Sequence, residues 1–260
     1  MNLIDLVRRV LVKILRIDKD FFLREELKEY KVDSEKFCWN DIPIYLRNSG
    51  SDYRVFKQVL IDEEYSFFNH LINYYLNGSV KNLVDAGANI GLTSLYFLRK
   101  YPHVQLMLIE MDSKNLQVLK RNLTGFSDHI VVNKALWIHS NGVVIDRTFR
   151  DGQSWSLSAK ESHSDLELVE SAVLLNILND HKWHEIDVLK IDIEGAEQKI
   201  IIEEPSFINV IDKTKLLCIE IHDEVASRIQ ICDFLSKAGF QLYSKGETVF
   251  GVNKKLCEFQ

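Results

Sequence analysis

The chain has 260 residues, 46% of them apolar, which is enough to bury one large core together with a small appendage. A formal charge of −6 provides no basic field of the kind that draws proteins onto phosphate backbones, so nucleic acid is not an expected substrate. The cysteines Cys38, Cys218, Cys232 and Cys257 are scattered without C-x-x-C spacing and read as ordinary reduced core cysteines.

The opening MNLIDLVRRVLVKILRI puts Leu3, Val7, Val10 and Ile14 on one helical face, with Arg8, Arg9, Lys13 and Arg16 elsewhere. This basic amphipathic helix over residues 1–16 suits docking on its own domain or a partner subunit, with an anionic membrane surface as the alternative. Its basic residues interrupt the apolar run, so it does not resemble a cleavable signal. No later run reaches the roughly 20 residues needed to span a bilayer, and a cytoplasmic protein, peripheral to the membrane at most, is expected. Residues 17–40 are charge-rich and weakly periodic, and are expected to form a linker with a short helix near Phe21–Tyr30, so that 1–40 make an extension and 41–260 the main domain.

From about Asn82, short apolar strands alternate with helical stretches, the mark of repeated βα units and a parallel sheet. Strands are expected at Leu83–Ala86, Gln105–Glu110, Ile130–Asn133, Asp187–Asp192 and Leu216–Ile221, with Phe240–Tyr243 and Thr248–Val252 forming a closing hairpin. The segments Gly142–Phe149 and Trp155–Ser158 flank Asp151-Gly152, a turn signal for a β-ribbon insertion near 142–160. Trp155, beside Ser154 and Ser156, offers a plane for a sugar face or an anchor for the ribbon, while Tyr74-Tyr75 reads as core.

After the first core strand comes Asp85-Ala86-Gly87-Ala88-Asn89-Ile90-Gly91, followed at once by a helical run. Strand, glycine turn, helix lets backbone approach a ligand at a helix N-terminus, although a tight turn without a ligand has the same pattern. Asn89 is a residue type that tolerates positive φ. Glu110 ends the second strand, where an acid accepts hydrogen bonds from two ribose hydroxyls. A dinucleotide fingerprint needs G-x-G-x-x-G, and only Gly87 and Gly91 are present, so a nucleoside cofactor without a pyrophosphate fits better.

These residues resemble the FkbM family of methyltransferases. The resemblance rests on Val84 through Gly91, on Glu110, on Leu189-Lys190-Ile191-Asp192-Ile193-Glu194-Gly195-Ala196-Glu197 and on Glu220-Ile221-His222, with Arg47, Ser51-Asp52 and Glu64-Tyr65 matching upstream. Met111 departs from it, standing where the family often has proline. The resemblance implies an α/β fold, a doubly wound, mostly parallel seven-stranded sheet with helices on both faces and one antiparallel strand. It also implies S-adenosylmethionine at the carboxyl edge and methyl transfer to an oxygen, frequently of a sugar. Carried over by residue, Asp85, Gly87 and Asn89 line the methionine part, Glu110 takes the ribose, Asn133 and Ala135 lie near the adenine, and Gly91 is counted with them as cofactor-binding.

Transfer to an alcohol needs help in losing a proton whose solution pKa is far above 7. Asp192 and Glu194 end the fourth strand and Glu220 and His222 the fifth, and period-two alternation points the last two to one face. His222 is either a hydrogen-bonded structural histidine or a neutral general base with Glu220 or a nearby carboxylate orienting it. Asp192 and Glu194 are either catalytic or caps of a helix beginning near Gly195, and Glu197 is expected to be solvated or capping. A divalent ion held by Asp192, Glu194 and His222 is the alternative to the metal-free base, which is preferred. His163, His181 and His184 show no ligand spacing. The expected activity is O-methylation of a small-molecule or glycan acceptor. A nicotinamide-dependent oxidoreductase and a non-catalytic binding module are the alternatives.

Overall fold

The structure, a computed structural model, describes residues 27–30, 36–47, 50–126, 129–146, 158–160 and 168–257. The amphipathic helix over residues 1–16, the first part of the helix near Phe21–Tyr30, the Asp151-Gly152 turn, His163 and Trp155 with its serines lie outside the described residues. The chain divides into two compact units, Met1–Glu64 and Tyr65–Gln260.

In the first unit, β1 (Lys36–Trp39) pairs antiparallel with β2 (Ile42–Tyr45), in register at Trp39 and Ile42. Only Asn40 and Asp41 remain for the turn, and both have positive φ, 48° and 67°. Two left-handed residues make a primed turn whose twist matches that of the flanking strands. This corrects the expectation of a linker up to residue 40: Phe37 and Trp39 alternate inward and are buried. Helix α1 (Gly50–Phe56) follows and runs into a π-helical turn at Lys57–Ile61. Before it, Arg47 donates from Nε to Asp52 Oδ2 at 2.9 Å and from Nη2 to Oδ1 at 2.8 Å, a two-pronged pair on a buried carboxylate.

The second unit begins with α2 (Ser66–Leu76) and then alternates strands and helices. In chain order these are β3 (Asn82–Ala86), α3 (Leu92–Lys100), β4 (Gln105–Ile109), α4 (Ser113–Asn122) and β5 (His129–Val132). Short pieces come next: β6 (Ala135–Leu136), β7 (Val144–Asp146), β8 (Ser158–Lys160), β9 (Ser171–Ala172) and α5 (Leu174–Asp180). The unit closes with β10 (Ile186–Ile191), α6 (Phe207–Ile211), β11 (Thr214–Glu220), α7 (Arg228–Ala238), β12 (Phe240–Lys245) and β13 (Thr248–Asn253).

Each of the seven expected core strands joins one sheet, in the order β12-β13-β11-β10-β3-β4-β5. Only β13 runs against its neighbours within this sheet. The fold is therefore the doubly wound, mostly parallel α/β sheet with one antiparallel strand. Every residue of β10 is buried, as befits a central strand covered on both faces. The chain winds outward from β3 to β5, then returns to β10 on the other side of β3, so the switch of direction lies between β3 and β10, where such sheets bind ligands. The expected ribbon is present as the antiparallel pair β7–β8, joining Val144 to Lys160.

One core assignment is overturned. Tyr74 is 52% exposed, and Tyr75 is half-buried with its hydroxyl 3.4 Å from that of Tyr243. Helix α2 turns its apolar face through Phe68, Leu71 and Ile72 instead, which leaves the tyrosines at its margin.

Candidate functional site

The glycine loop leaves β3 in a conformation that side chains resist. Gly87, Asn89 and Gly91 have φ of 81°, 48° and 83°. A Cβ on Gly87 would stand 1.7 Å from the Asp192 carbonyl oxygen, so the loop lies against the end of β10 with no room for a side chain. Gly91 serves a second purpose: it precedes α3 in the left-handed region, and a Cβ there would press on Leu119 of α4 at 3.2 Å. The loop is also bonded to β4, with the Gly87 and Ala88 amides donating to the Ile109 carbonyl at 2.9 and 3.0 Å.

Glu110, at the end of β4, is buried and holds this loop. Its Oε2 accepts from the Asn89 amide at 2.8 Å, and its Oε1 from the Asp112 amide at 2.8 Å and Asn115 Nδ2 at 3.2 Å. Burial pushes its carboxyl up to about 7, against the lowering effect of those hydrogen bonds. A carboxylate offers about four acceptor positions, so Oε2 retains capacity for a ligand hydroxyl. Asn133 donates from Nδ2 to the Glu110 and Met111 carbonyls at 3.0 and 3.1 Å, fixing the turn that carries the acid. Ala135 is buried with Trp137, Val143 and Ala196, in a cluster against which Met111 packs. A separate cavity of ≈ 290 Å³ lies beyond β5, bounded by Lys134, Asn176, Asp180 and His181, and does not include the glycine loop.

Lys190, on β10, is a site residue to which sequence analysis assigned no role. It is 3% exposed, donates from Nζ to the Gly87 carbonyl at 2.9 Å, and lies 3.2 Å from Asp85 Oδ1 and 3.5 Å from Asp192 Oδ2. Burial disfavours its charge, but Asp85 and Asp192 outweigh that and, with Glu220, hold it above the usual lysine range. Asp85 is itself fully buried, and its Oδ2 accepts from Ser94 Oγ at 2.6 Å. The acid expected to touch the cofactor is thus engaged by a serine and a lysine.

Across the switch point, β10 and β11 bring the acceptor-side residues together. His222 is fully buried between two carboxylates, with Nδ1 3.0 Å from Glu197 Oε1 and Nε2 3.1 Å from Glu194 Oε2. Burial lowers its pKa, yet the two glutamates more than compensate and push it up to about 11. Glu197, expected to be solvated or capping, is fully buried and accepts from the amides of Ile193 and Gly195 as well as facing His222. Glu194 adopts a positive φ of 54° in the turn that leads to a π-helical segment, Lys199–Glu203, and reaches His222 rather than acting simply as a cap. Asp192 is a quarter exposed, and its Oδ1 lacks a hydrogen-bond partner among the described residues. Glu220 ends β11 half-buried, near enough to act on Lys190.

Among the described residues no helix is long and apolar enough to cross a membrane. Residues 85–242 match the methyltransferase FkbM domain. Methyltransferase sdnD of Sordaria araneosa is 28% identical, over 72% of this chain and 82% of that protein. The human probable methyltransferase-like protein 24 is 30% identical over 44% of this chain and 28% of its own length. Among solved structures, the methyltransferase FkbM of Methylobacillus flagellatus KT is 16% identical with a TM-score of 0.47, covering 93% of this chain and 60% of that one. The family match takes in the glycine loop, Glu110, Lys190 and the Asp192–His222 cluster, and on it the chain belongs to the FkbM methyltransferase family.

Proposed function

We propose that this methyltransferase uses S-adenosylmethionine to methylate a hydroxyl oxygen of a sugar or glycosylated metabolite. When bound, the donor supplies an electrophilic methyl group: a C–O bond forms on the acceptor as the C–S bond breaks, and the neutral thioether leaves. The residues fit such a group. Asn89 Oδ1 is a buried acceptor with no partner among the described residues, Gly87 leaves a cradle that a Cβ would fill, and Glu110 has capacity for a ribose hydroxyl. A hydroxyl acceptor is supported chiefly by Asp192, whose unpaired Oδ1 at the carboxyl edge is suited to take the acceptor's proton.

In this reading Glu110 and the glycine loop bind, while Lys190 fixes Gly87 and Asp192 relative to each other. His222, held between Glu194 and Glu197, keeps those acids in place. Close alignment of donor and acceptor supplies the larger part of the acceleration. The four free cysteines accord with a reducing, cytoplasmic setting. Family membership does not favour the nicotinamide-dependent or non-catalytic alternatives. The test is isothermal titration with S-adenosylmethionine and with nicotinamide dinucleotides, followed by methyl-transfer assays on nucleotide sugars, glycans and matched amine acceptors. Saturable binding of the first alone and methylation of a sugar hydroxyl are expected. Transfer to nitrogen only, or to no carbohydrate, would reject the acceptor class.

A further inference from the structure

Asp192, Glu194 and His222 each present one ligand atom, and these atoms all lie within 4.8 Å of one another. They follow the ends of two adjacent parallel strands, β10 and β11, Asp192 by one residue, His222 by two and Glu194 by three, in a turn. Two features set this group apart from an ordinary surface acid cluster. His222 is wholly buried, and its Nδ1 is held by Glu197, which directs Nε2 into the cluster. Imidazole ligands of metals are oriented in this manner, by a carboxylate on the other ring nitrogen. Asp192 Oδ1 is buried and lacks a hydrogen-bond partner among the described residues, so one acceptor of the cluster is unused.

We infer that Asp192, Glu194 and His222 form a binding site for one divalent cation of the magnesium–manganese class, with Glu197 as the outer carboxylate that orients His222. Two carboxylates and one imidazole form a mixed oxygen and nitrogen set, and carboxylate with water suits these ions. The cation would lie against His222 Nε2 and Glu194 Oε2, which stand 3.1 Å apart, and bind the neutral imidazole. Three protein ligands leave coordination positions for water or for an acceptor oxygen. A hydroxyl bound there would lose its proton more readily. That last role rests on the proposed methyl transfer to oxygen; the binding itself does not.

The test is titration of the full chain with Mn2+ alone, without donor or acceptor, followed by electron paramagnetic resonance. One saturable Mn2+ per chain is expected, with directly coordinated nitrogen in the pulsed spectrum that disappears in His222→Gln. Asp192→Asn and Glu194→Gln should each weaken binding by at least about tenfold, and Glu197→Gln by about 10–100-fold. Thermal unfolding provides the check on folding: Mn2+ should raise the wild-type midpoint and leave that of Asp192→Asn unmoved. No saturable binding at millimolar Mn2+, or binding unchanged in both carboxylate variants, would overturn the site. A site that binds Mn2+ in a protein that methylates no hydroxyl would instead reject the proposed reaction and leave the site standing.

Discussion

Asp187 and Asp192 stand at opposite ends of the same central strand, and their surroundings differ in kind. At the amino edge, Asp187 accepts from the Lys81 and Asn82 amides at 2.6 and 3.0 Å and pairs with Lys215 at 2.7 Å. It is 4% exposed, and both of its oxygens are engaged. At the carboxyl edge, Asp192 has one oxygen 3.5 Å from a lysine it shares with Asp85, and the other unpaired. Identical side chains on one strand are thus satisfied where they pin the sheet and incomplete where a ligand is expected. Buried polar atoms left unpaired are costly, so those retained at one edge mark a site that folding alone does not complete.

The two lysines give the sharpest way to break this comparison. Lys215 is 31% exposed and serves Asp187, whereas buried Lys190 serves Asp85, Asp192 and the Gly87 carbonyl. Lys190→Met leaves the fully buried Asp85 carboxylate without its cation and should cost about 3–5 kcal/mol in urea unfolding. Lys215→Met should cost about 1 kcal/mol, because solvent screens that pair. Equal losses would mean that the two edges are built alike.

The aspartates themselves should exchange phenotypes. Asp187→Asn weakens hydrogen bonds from two backbone amides and an ion pair, with an expected loss of about 2 kcal/mol of stability and turnover within about threefold of wild type. Asp192→Asn should leave stability within about 1 kcal/mol and lower turnover by about 10²–10⁴-fold. Paired urea titrations and steady-state kinetics measure both. A stable, fully active Asp192→Asn would remove this acid from the chemistry.

Most of the frame was legible in the sequence because each core strand is a short apolar run punctuated by turns, and the glycine loop announces itself by composition. The first-unit hairpin was missed: Phe37 and Trp39 alternate before Asn40-Asp41, but the charged residues around them obscured the pattern. The roles of Lys190 and Glu197 were not. Lys190 meets Gly87 across 103 residues, and Glu197 meets His222 across 25, through crossovers that local spacing does not encode. The carboxylates that flank His222, Glu194 and Glu197, are brought to it only by the folded strands.

Glu110 is another acid at the carboxyl edge, and its response to pH separates binding from structure. Its pKa rises from an ordinary 4.5 to about 7, first because of burial. Being raised, it contributes stability that is fully present below pH about 4.5 and lost as pH rises through about 7. Ligand hydroxyls favour the ionised form, so cofactor affinity should move the opposite way, weakening by up to about tenfold per pH unit below 7. Calorimetric titration from pH 5 to 8 should show this slope in wild type and a flat, weaker affinity in Glu110→Gln. An unsloped wild type would mean that Glu110 holds the loop and does not touch the ribose.

The smallest expected effect concerns Asn133, which acts on the cofactor half without being buried in it. Its amide donates to the carbonyls of Glu110 and Met111 from an exposed position, so water can replace much of what is lost on truncation. Asn133→Ala should therefore cost about 1 kcal/mol, spent on the placement of the turn that carries Glu110. Because that turn contributes to binding rather than to the methyl-transfer step, the KM for the donor should rise by about fivefold with kcat unchanged. Asp192→Asn is expected to show the reverse split, so the two variants assayed together divide the edge into a binding side and a reacting side. A KM increase well beyond about tenfold would show that Asn133 contacts the ligand itself, because restoring two exposed hydrogen bonds to water does not cost that much.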